Sequence, residues 1–551
     1  MRELTVSEAV RAEYVERGCW DDRRLLERIE ESVASHGEKA AVVDETRSLT
    51  YAEIWTLGSR LAGWLAGRGV GHGSVVSVQL PNWWEFAVIH VATEMLGAVL
   101  NPLLPIYGER ELRHVISTCE SKVLVVPARH RSRDAYAAIA ARLLGELPSL
   151  AGVLVVRGEE GSPADGLADF AAALGFDPLE PSAGVGGDAP VLVAFTSGTE
   201  SDAKGCVHSS NTSLFALRSA VDELGLGKDD VVYMPSPLGH ATGINWGMRL
   251  AFLLGTTLVL QDRWDVEVAC ELIRRHGCRF SLSATPFILE LVDYVEREGR
   301  GADFDQFRMF VSGGAPIPRE LVQRTQTVLG TELLACYGQA ETWMVSLVRP
   351  GDALEIKADS DGRLMPGVEV RVLDDLGQEV GPGERGECTT RGPHVMLGYL
   401  NPPADFDFQP GGWLGMGDYV TVDEGGRLQV VGRKKEIIIR GGVNISPREV
   451  EEMLITHPAV AQVAVVGYPE RRLGERACAV VVAAPGEAPT LESLTEHLRQ
   501  LGCATYKLPE RLELIPELPM TPSGKVQKVK LKDWLASEPS DPSAVPSGVT
   551  T

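Results

Sequence analysis

An apolar run, Val191-Leu-Val-Ala-Phe195, feeds into Thr196-Ser197-Gly198-Thr199, and Lys204-Gly205 follows a short polar stretch. Three hydroxyls, a glycine free to take positive φ and a lysine ammonium are groups a triphosphate needs, because phosphate oxygens left without donors are costly to bury. The spacing is not that of the G-x-x-x-x-G-K-[ST] loop, since no Lys-Ser/Thr pair follows the glycine. By itself such a Ser/Thr/Gly cluster also fits a solvated turn. Further along, Pro235-Ser-Pro-Leu-Gly-His240 places a histidine in a proline-rich turn. Ser312-Gly313-Gly314-Ala315-Pro316 offers small residues that would let backbone approach a flat ring closely. Taken singly, Glu341 reads as a surface charge and Lys525 as one surface lysine among many. No G-x-S-x-G elbow occurs, which disfavours a serine hydrolase.

The elements that would carry these residues alternate. Thr50 precedes a helical pattern over 51–68, 73–80 reads as a buried strand, the apolar stretch 86–107 as a buried helix, and 122–127 as a strand. Strands at 191–195 and 257–261 alternate with helices at 210–224 and 266–276. The class is therefore α/β, with βαβ-type sheets and mainly parallel pairing. Between 366 and 432 short strands and glycine-rich turns suggest a compact β unit. Past Arg433 a strand at 436–440, a helix opened by Ser446-Pro-Arg-Glu449, strands at 460–467 and 478–484 and a helix at 491–501 make a small α+β unit. We expect a large N-terminal domain over 1–433, a small C-terminal domain over 434–536 and a disordered Ser/Pro-rich tail over 537–551.

The chain has 551 residues, more than one ordinary core accommodates, and its 53 basic against 76 acidic residues give a formal charge of −23. That balance argues against a nucleic-acid partner. The nine cysteines include no C-x-x-C pair, so neither a zinc cluster nor a redox motif is signalled, and reduced thiols of a cytoplasmic protein are expected. His90, Glu94, Gly97 and Asn101 interrupt the most apolar stretch, so no membrane span is expected; nor does the charged N-terminus read as a secretory signal.

The order of the motifs is similar to that of the ANL superfamily of adenylate-forming enzymes, which includes acyl-CoA synthetases, aryl-acid ligases, luciferases and nonribosomal adenylation domains. The resemblance covers roughly residues 25–533: T-S-G-T with K-G at 196–205, the His240 motif, Ser312–Pro316, Tyr337-Gly338-Gln-Ala-Glu341, Gly417-Asp418, Gly432-Arg433-Lys-Lys435, Gly441-Gly442 and Pro522-Ser-Gly-Lys525. It implies a large AMP-binding domain and a small mobile lid. ATP is gripped by the 196–204 loop, and Mg²⁺ is held by Glu341 with Thr196. Tyr337 stacks on adenine beside Gly313, Gly314, Ala315 and Gly338. Asp418 takes the ribose hydroxyls and Arg433 contacts nucleotide. His240 lies beside the acid, and Lys525 acts on the reacting phosphate. Lys435 is the pivot, and Gly441 and Gly442 line a pantetheine tunnel. The implied reaction is attack of a small-molecule carboxylate on the α-phosphorus of ATP with loss of pyrophosphate, then transfer to coenzyme A.

The chain departs from the family pattern at several points. Glu200-Ser201 stands for Thr-Gly, Ala203 for Pro, Ala340 for Thr, Met416 for Thr and Lys528 for a frequent Arg. These leave the acid and the acceptor open. Alternatives are a free-standing adenylation enzyme that loads a carrier protein, and a diazotase that activates nitrite to convert an aryl amine. A homodimer also stays open.

Overall fold

Runs of Val and Leu without polar alternation, such as Val123–Pro127 and Gly152–Val156, are buried along their whole length, as strands covered on both faces must be. The computed structural model describes every residue except 1–3, 5, 159–166, 197–202, 315–316, 404–405, 407, 442, 471, 521–525 and 537–551. The calls on Ser197, Gly198, Thr199, Ala315, Gly442 and Lys525, and on the tail 537–551, therefore lie outside the described residues.

The large domain holds two broad sheets. In the nine-stranded one, Val232–Met234, Phe280–Ser283, Met309–Gly313 and Glu332–Tyr337 run parallel as neighbours. In the eight-stranded one, Val75–Val78, Val99–Pro102 and Pro190–Phe195 are parallel, and Gly205–Ser209 and Gly398–Tyr399 close one edge antiparallel. Glu369–Leu373, Gly386–Arg391, Leu414–Val422 and Leu428–Arg433 form the four-stranded antiparallel unit. Local signals work as read at Thr50. It accepts from Glu53 N at 3.2 Å while Glu53 returns a carboxylate to Thr50 N at 2.8 Å, a reciprocal cap for Tyr51–Ala66.

Two expectations change. The apolar stretch 86–107 is not one helix: Trp84–Leu96 ends where Gly97 takes φ +62°, and Val99–Pro102 is a strand. Both pieces are buried on every side, so apolar periodicity does not separate them. The polar residues within the helix are buried too. Glu94 lies 3.0 Å from Arg249 and 3.7 Å from Arg24, beside His90. The expected strand 436–440 begins later, at Ile438–Arg440, because Lys434–Glu436 form a 3-10 turn.

In the small domain, the sheet of Val460–Glu470 and Gly474–Ala483 has cores on both faces. Val465, Ala479 and Val481 meet Val450, Leu454, Leu494 and Leu498 on one side; Ala464, Val466 and Val480 meet Leu531 and Leu535 on the other. Among the described residues no helix is long and apolar enough to cross a membrane.

Candidate active site

The motifs gather where parallel strands end. The loops after Val232–Met234, Met309–Gly313 and Glu332–Tyr337 carry His240, Gly314 and Glu341 respectively, and such carboxyl edges are where open α/β sheets bind ligands. The serines leaving neighbouring strands link them laterally: Ser236 bonds Ser283, and Thr285 lies 3.0 Å from Ser312.

The phosphate-loop motif is the connection of a hairpin. Phe195 pairs with Gly205 and Ala194 with Cys206, and the neck is closed by Thr196 N to Lys204 O at 2.9 Å and Lys204 N to Thr196 Oγ1 at 3.4 Å. Thr196 and Lys204 thus stand at the two feet of the loop.

Glycine is required at two neighbouring positions. A Cβ on Gly313 would stand 2.7 Å from the carbonyl oxygen and Sγ of Cys336, and one on Gly338 would stand 2.0 Å from Trp343 O. The second contact reflects a tight turn, 338–343, in which Trp343 N donates to Gln339 O at 2.8 Å and Trp343 takes φ +56°. For a buried aromatic this left-handed backbone is strained, and strain of that kind collects at functional turns. The turn is braced by His208, whose Nε2 donates to Ala340 O at 2.7 Å. Tyr399 braces it from the other side, donating its hydroxyl to Glu341 Oε1 at 2.7 Å.

Asp418 is buried and collects donors. Tyr337 Oη reaches Oδ2 at 2.7 Å, Gln339 Nε2 reaches the same oxygen at 2.8 Å, and Arg433 Nε reaches Oδ1 at 3.0 Å. Burial, with Asp418 beside it, pushes the Tyr337 phenol well above its ordinary value, so it stays a donor to that carboxylate. Asp418 and Arg433 face each other on paired strands, and the chain then enters the Lys434–Glu436 turn that contains Lys435.

His240 accepts from Thr242 N at Nδ1, 3.2 Å, which puts the ring proton on Nε2. It stands at the mouth of an unforeseen π-helix, Thr242–Arg249, a geometry concentrated at functional sites. Gly441 takes φ +59° at the tip of the hairpin Ile438–Arg440/Val443–Ile445. Lys528, three positions after Lys525 in the chain, is clasped by Glu436 and Glu451, each at 2.9 Å. Burial pulls its ammonium down, but the two carboxylates outweigh that and hold it above the ordinary value.

Thus Glu341, Tyr337, Gly338, Gly313, Asp418 and Arg433 are joined by direct contacts or strand pairing, and Lys204 joins them through Tyr399. His240 shares the sheet edge but bonds none of them among the described contacts, and Gly441 belongs to the small domain. Gln339, Tyr399 and Asn401 were not foreseen; Gln339 occupies the variable place in its motif, and nothing local marks the other two. The donor set fits a hard cation. A carboxylate at Glu341 and a hydroxyl at Thr196 are oxygen donors, and among the described residues no three His, Cys, Asp or Glu side chains group as a metal cage, so phosphate oxygens would complete the shell. A cavity of about 430 Å³ lies elsewhere, lined by Arg28, His36, Arg218 and Asp222, and includes none of these residues.

Comparison with known proteins bears on this site. The family model described as "AMP-binding enzyme" matches residues 29–400, and that of its C-terminal domain matches 449–525. A medium-chain fatty-acid–CoA ligase of Escherichia coli is 36% identical over 534 residues, covering 96% of this chain and 93% of that one. A salicylyl-CoA synthase/salicylate adenylyltransferase of a Streptomyces species is 32% identical over 546 residues, covering 97% of each. The crystal structure of ATP-bound MatB from Rhodopseudomonas palustris superposes with a TM-score of 0.81 at 26% identity, covering 93% of this chain and 99% of that one.

Proposed function

The chain belongs to the AMP-binding enzyme family and is an adenylate-forming ligase, and from that premise we propose that it joins an apolar carboxylic acid, medium-chain aliphatic or aryl, to coenzyme A in two half-reactions. The observation that carries the reading is the contact network at one sheet edge: a carboxylate at Glu341, an ammonium at Lys204 and a second, buried carboxylate at Asp418.

In the first half-reaction a carboxylate oxygen of the acid attacks the α-phosphorus of ATP and pyrophosphate leaves. Negative charge builds on the phosphoryl oxygens, so the protein's part is positioning and electrostatics. The 196–204 loop, with Thr196, Ser197, Gly198, Thr199 and Lys204, would hold the β- and γ-phosphates, and Lys525 would meet the α-phosphate. Glu341 and Thr196 would hold Mg²⁺, which when bound neutralises phosphate charge. Asp418 would accept both ribose hydroxyls, and adenine would lie between Tyr337 and the small residues Gly313, Gly314 and Ala315. His240 would stand beside the incoming carboxylate. Arg433 presently covers Asp418 Oδ1, but its side chain is 49% exposed and can swing to share the ribose.

In the second half-reaction the small domain turns about Lys435, removing Lys525 and bringing Gly441 and Gly442 to the pantetheine arm of the thiol. The thiolate attacks the acyl carbonyl and AMP leaves.

The test supplies ATP, Mg²⁺ and a panel of medium-chain and aryl acids with coenzyme A, with a holo-carrier protein, or with neither; a further arm supplies nitrite and an aminoaryl acid. Acid-dependent AMP release with acyl-CoA as product is expected. Thioester formed only on the carrier, or AMP released only with nitrite, would overturn the proposal.

A further inference from the structure

We infer that Tyr399, with Asn401 beside it, is a positioning residue that locks the cation-binding carboxylate to the foot of the phosphate loop; the inference rests on reading Glu341 as that carboxylate. A glutamate side chain has three rotatable bonds, and a cation gains most when one oxygen is already aimed at it. Tyr399 supplies the constraint. Its hydroxyl donates to Glu341 Oε1 at 2.7 Å, while among the described residues Oε2 takes no protein hydrogen bond and is left for a cation.

The same residue reaches the other motif. Its ring centroid lies 5.6 Å from Lys204 Nζ, within cation–π range. The backbone follows suit: Met396 N donates to Glu341 O at 2.8 Å, Tyr399 pairs with Cys206, and Leu400 N donates to Gly205 O at 2.9 Å. Asn401 completes the stitch with both ends of its amide. Oδ1 accepts from Gly205 N at 3.0 Å and Nδ2 donates to Ala203 O at 3.1 Å. The segment 396–401 therefore ties the exit of the phosphate loop and the Glu341 turn into one unit, so neither can shift without the other. Phe406 packs edge-on against Tyr399 at 4.6 Å between ring centroids, which fixes the ring independently of its hydroxyl.

That independence makes Tyr399→Phe a clean probe, since the ring packing is kept. The experiment is calorimetric titration of the full chain with ATP, once with excess Mg²⁺ and once in chelator, for the parent, Tyr399→Phe, Asn401→Ala and Glu341→Gln. Loss of a partner that orients a metal ligand typically weakens metal affinity about 10-fold or more. Tyr399→Phe is expected to weaken ATP binding about tenfold with Mg²⁺ and less than about twofold in chelator. Asn401→Ala is expected to weaken both alike. If Glu341→Gln abolishes the gain from Mg²⁺ while Tyr399→Phe keeps the whole parental gain, the role given to Tyr399 is overturned alone. If Glu341→Gln itself leaves that gain intact, the reading of Glu341 fails and the inference falls with it.

Discussion

Replacing Asp418 by asparagine tests the ribose contact proposed for that carboxylate. The parent carboxylate is 3% exposed and already oriented by Tyr337, Gln339 and Arg433. Two ribose hydroxyls donating to it would gain about 1.5–3 kcal/mol each, as hydrogen bonds to a charged group do, setting a ceiling of about 3–6 kcal/mol. The amide keeps one carbonyl acceptor, which Tyr337 and Gln339 will claim, and turns its NH₂ toward Arg433. That guanidinium is half exposed and swings to solvent, so no buried charge is left unpaired. A net loss of about 2–3 kcal/mol follows, or about 30- to 150-fold in kcat/KM for ATP. The assay is acid-dependent pyrophosphate exchange with ATP, 2′-deoxy-ATP and 3′-deoxy-ATP. The parent should lose rate with each deoxynucleotide, whereas Asp418→Asn should lose less than about threefold further. A variant that matches the parent on ATP, or that suffers the parent's full penalty on the deoxynucleotides, would refute the ribose assignment.

Lys525→Ala should slow adenylation about 10²- to 10³-fold, the usual effect of losing a preorganised electrostatic donor, while thioester formation from supplied acyl-AMP is spared; near-parental pyrophosphate exchange would remove Lys525 from the mechanism. Lys435→Pro, within the Lys434–Glu436 turn, should spare adenylation and stop thioester formation, and equal loss of both, measured as separate half-reactions, would count against a pivot there. Acid should unfold the protein early. Burial holds His90, His208 and His394 down at about 3, against an ordinary value of 6.5, so below pH 6.5 the unfolded chain binds more protons than the native one and stability falls as pH falls towards 3. At pH 5 each contributes about 2 kcal/mol of loss, about 6 kcal/mol together, which urea midpoints at pH 7.5, 6 and 5 will report; a flat profile would mean these rings are hydrated.

What could be read from the chain and what could not divides along a physical line. The cap at Thr50 and the strand at 191–195 are local: residue type and near neighbours determine them, and each stands where the sequence placed it. The stretch 86–107 misled because helix and strand are equally apolar once buried on all sides, and only Gly97 marks the change. The π-helix after His240 has no sequence signature, since it depends on how Asn245 and Arg249 find Ser213 in the interior. Tyr399 and Asn401 escaped for a related reason. Their partners are Glu341 and the loop foot at 203–205, reached through a two-residue edge strand, so their chemistry exists only after the sheets assemble.

A mixed anhydride between the acid and AMP leaves an isotopic record in the nucleotide product. The acid found active in the panel is prepared with heavy oxygen in its carboxylate and turned over with ATP, Mg²⁺ and coenzyme A, and the nucleotide product is weighed by mass spectrometry. AMP carrying one labelled oxygen on its phosphate, with unlabelled pyrophosphate, is expected. Unlabelled AMP, or ADP with label in inorganic phosphate, would contradict the mixed anhydride.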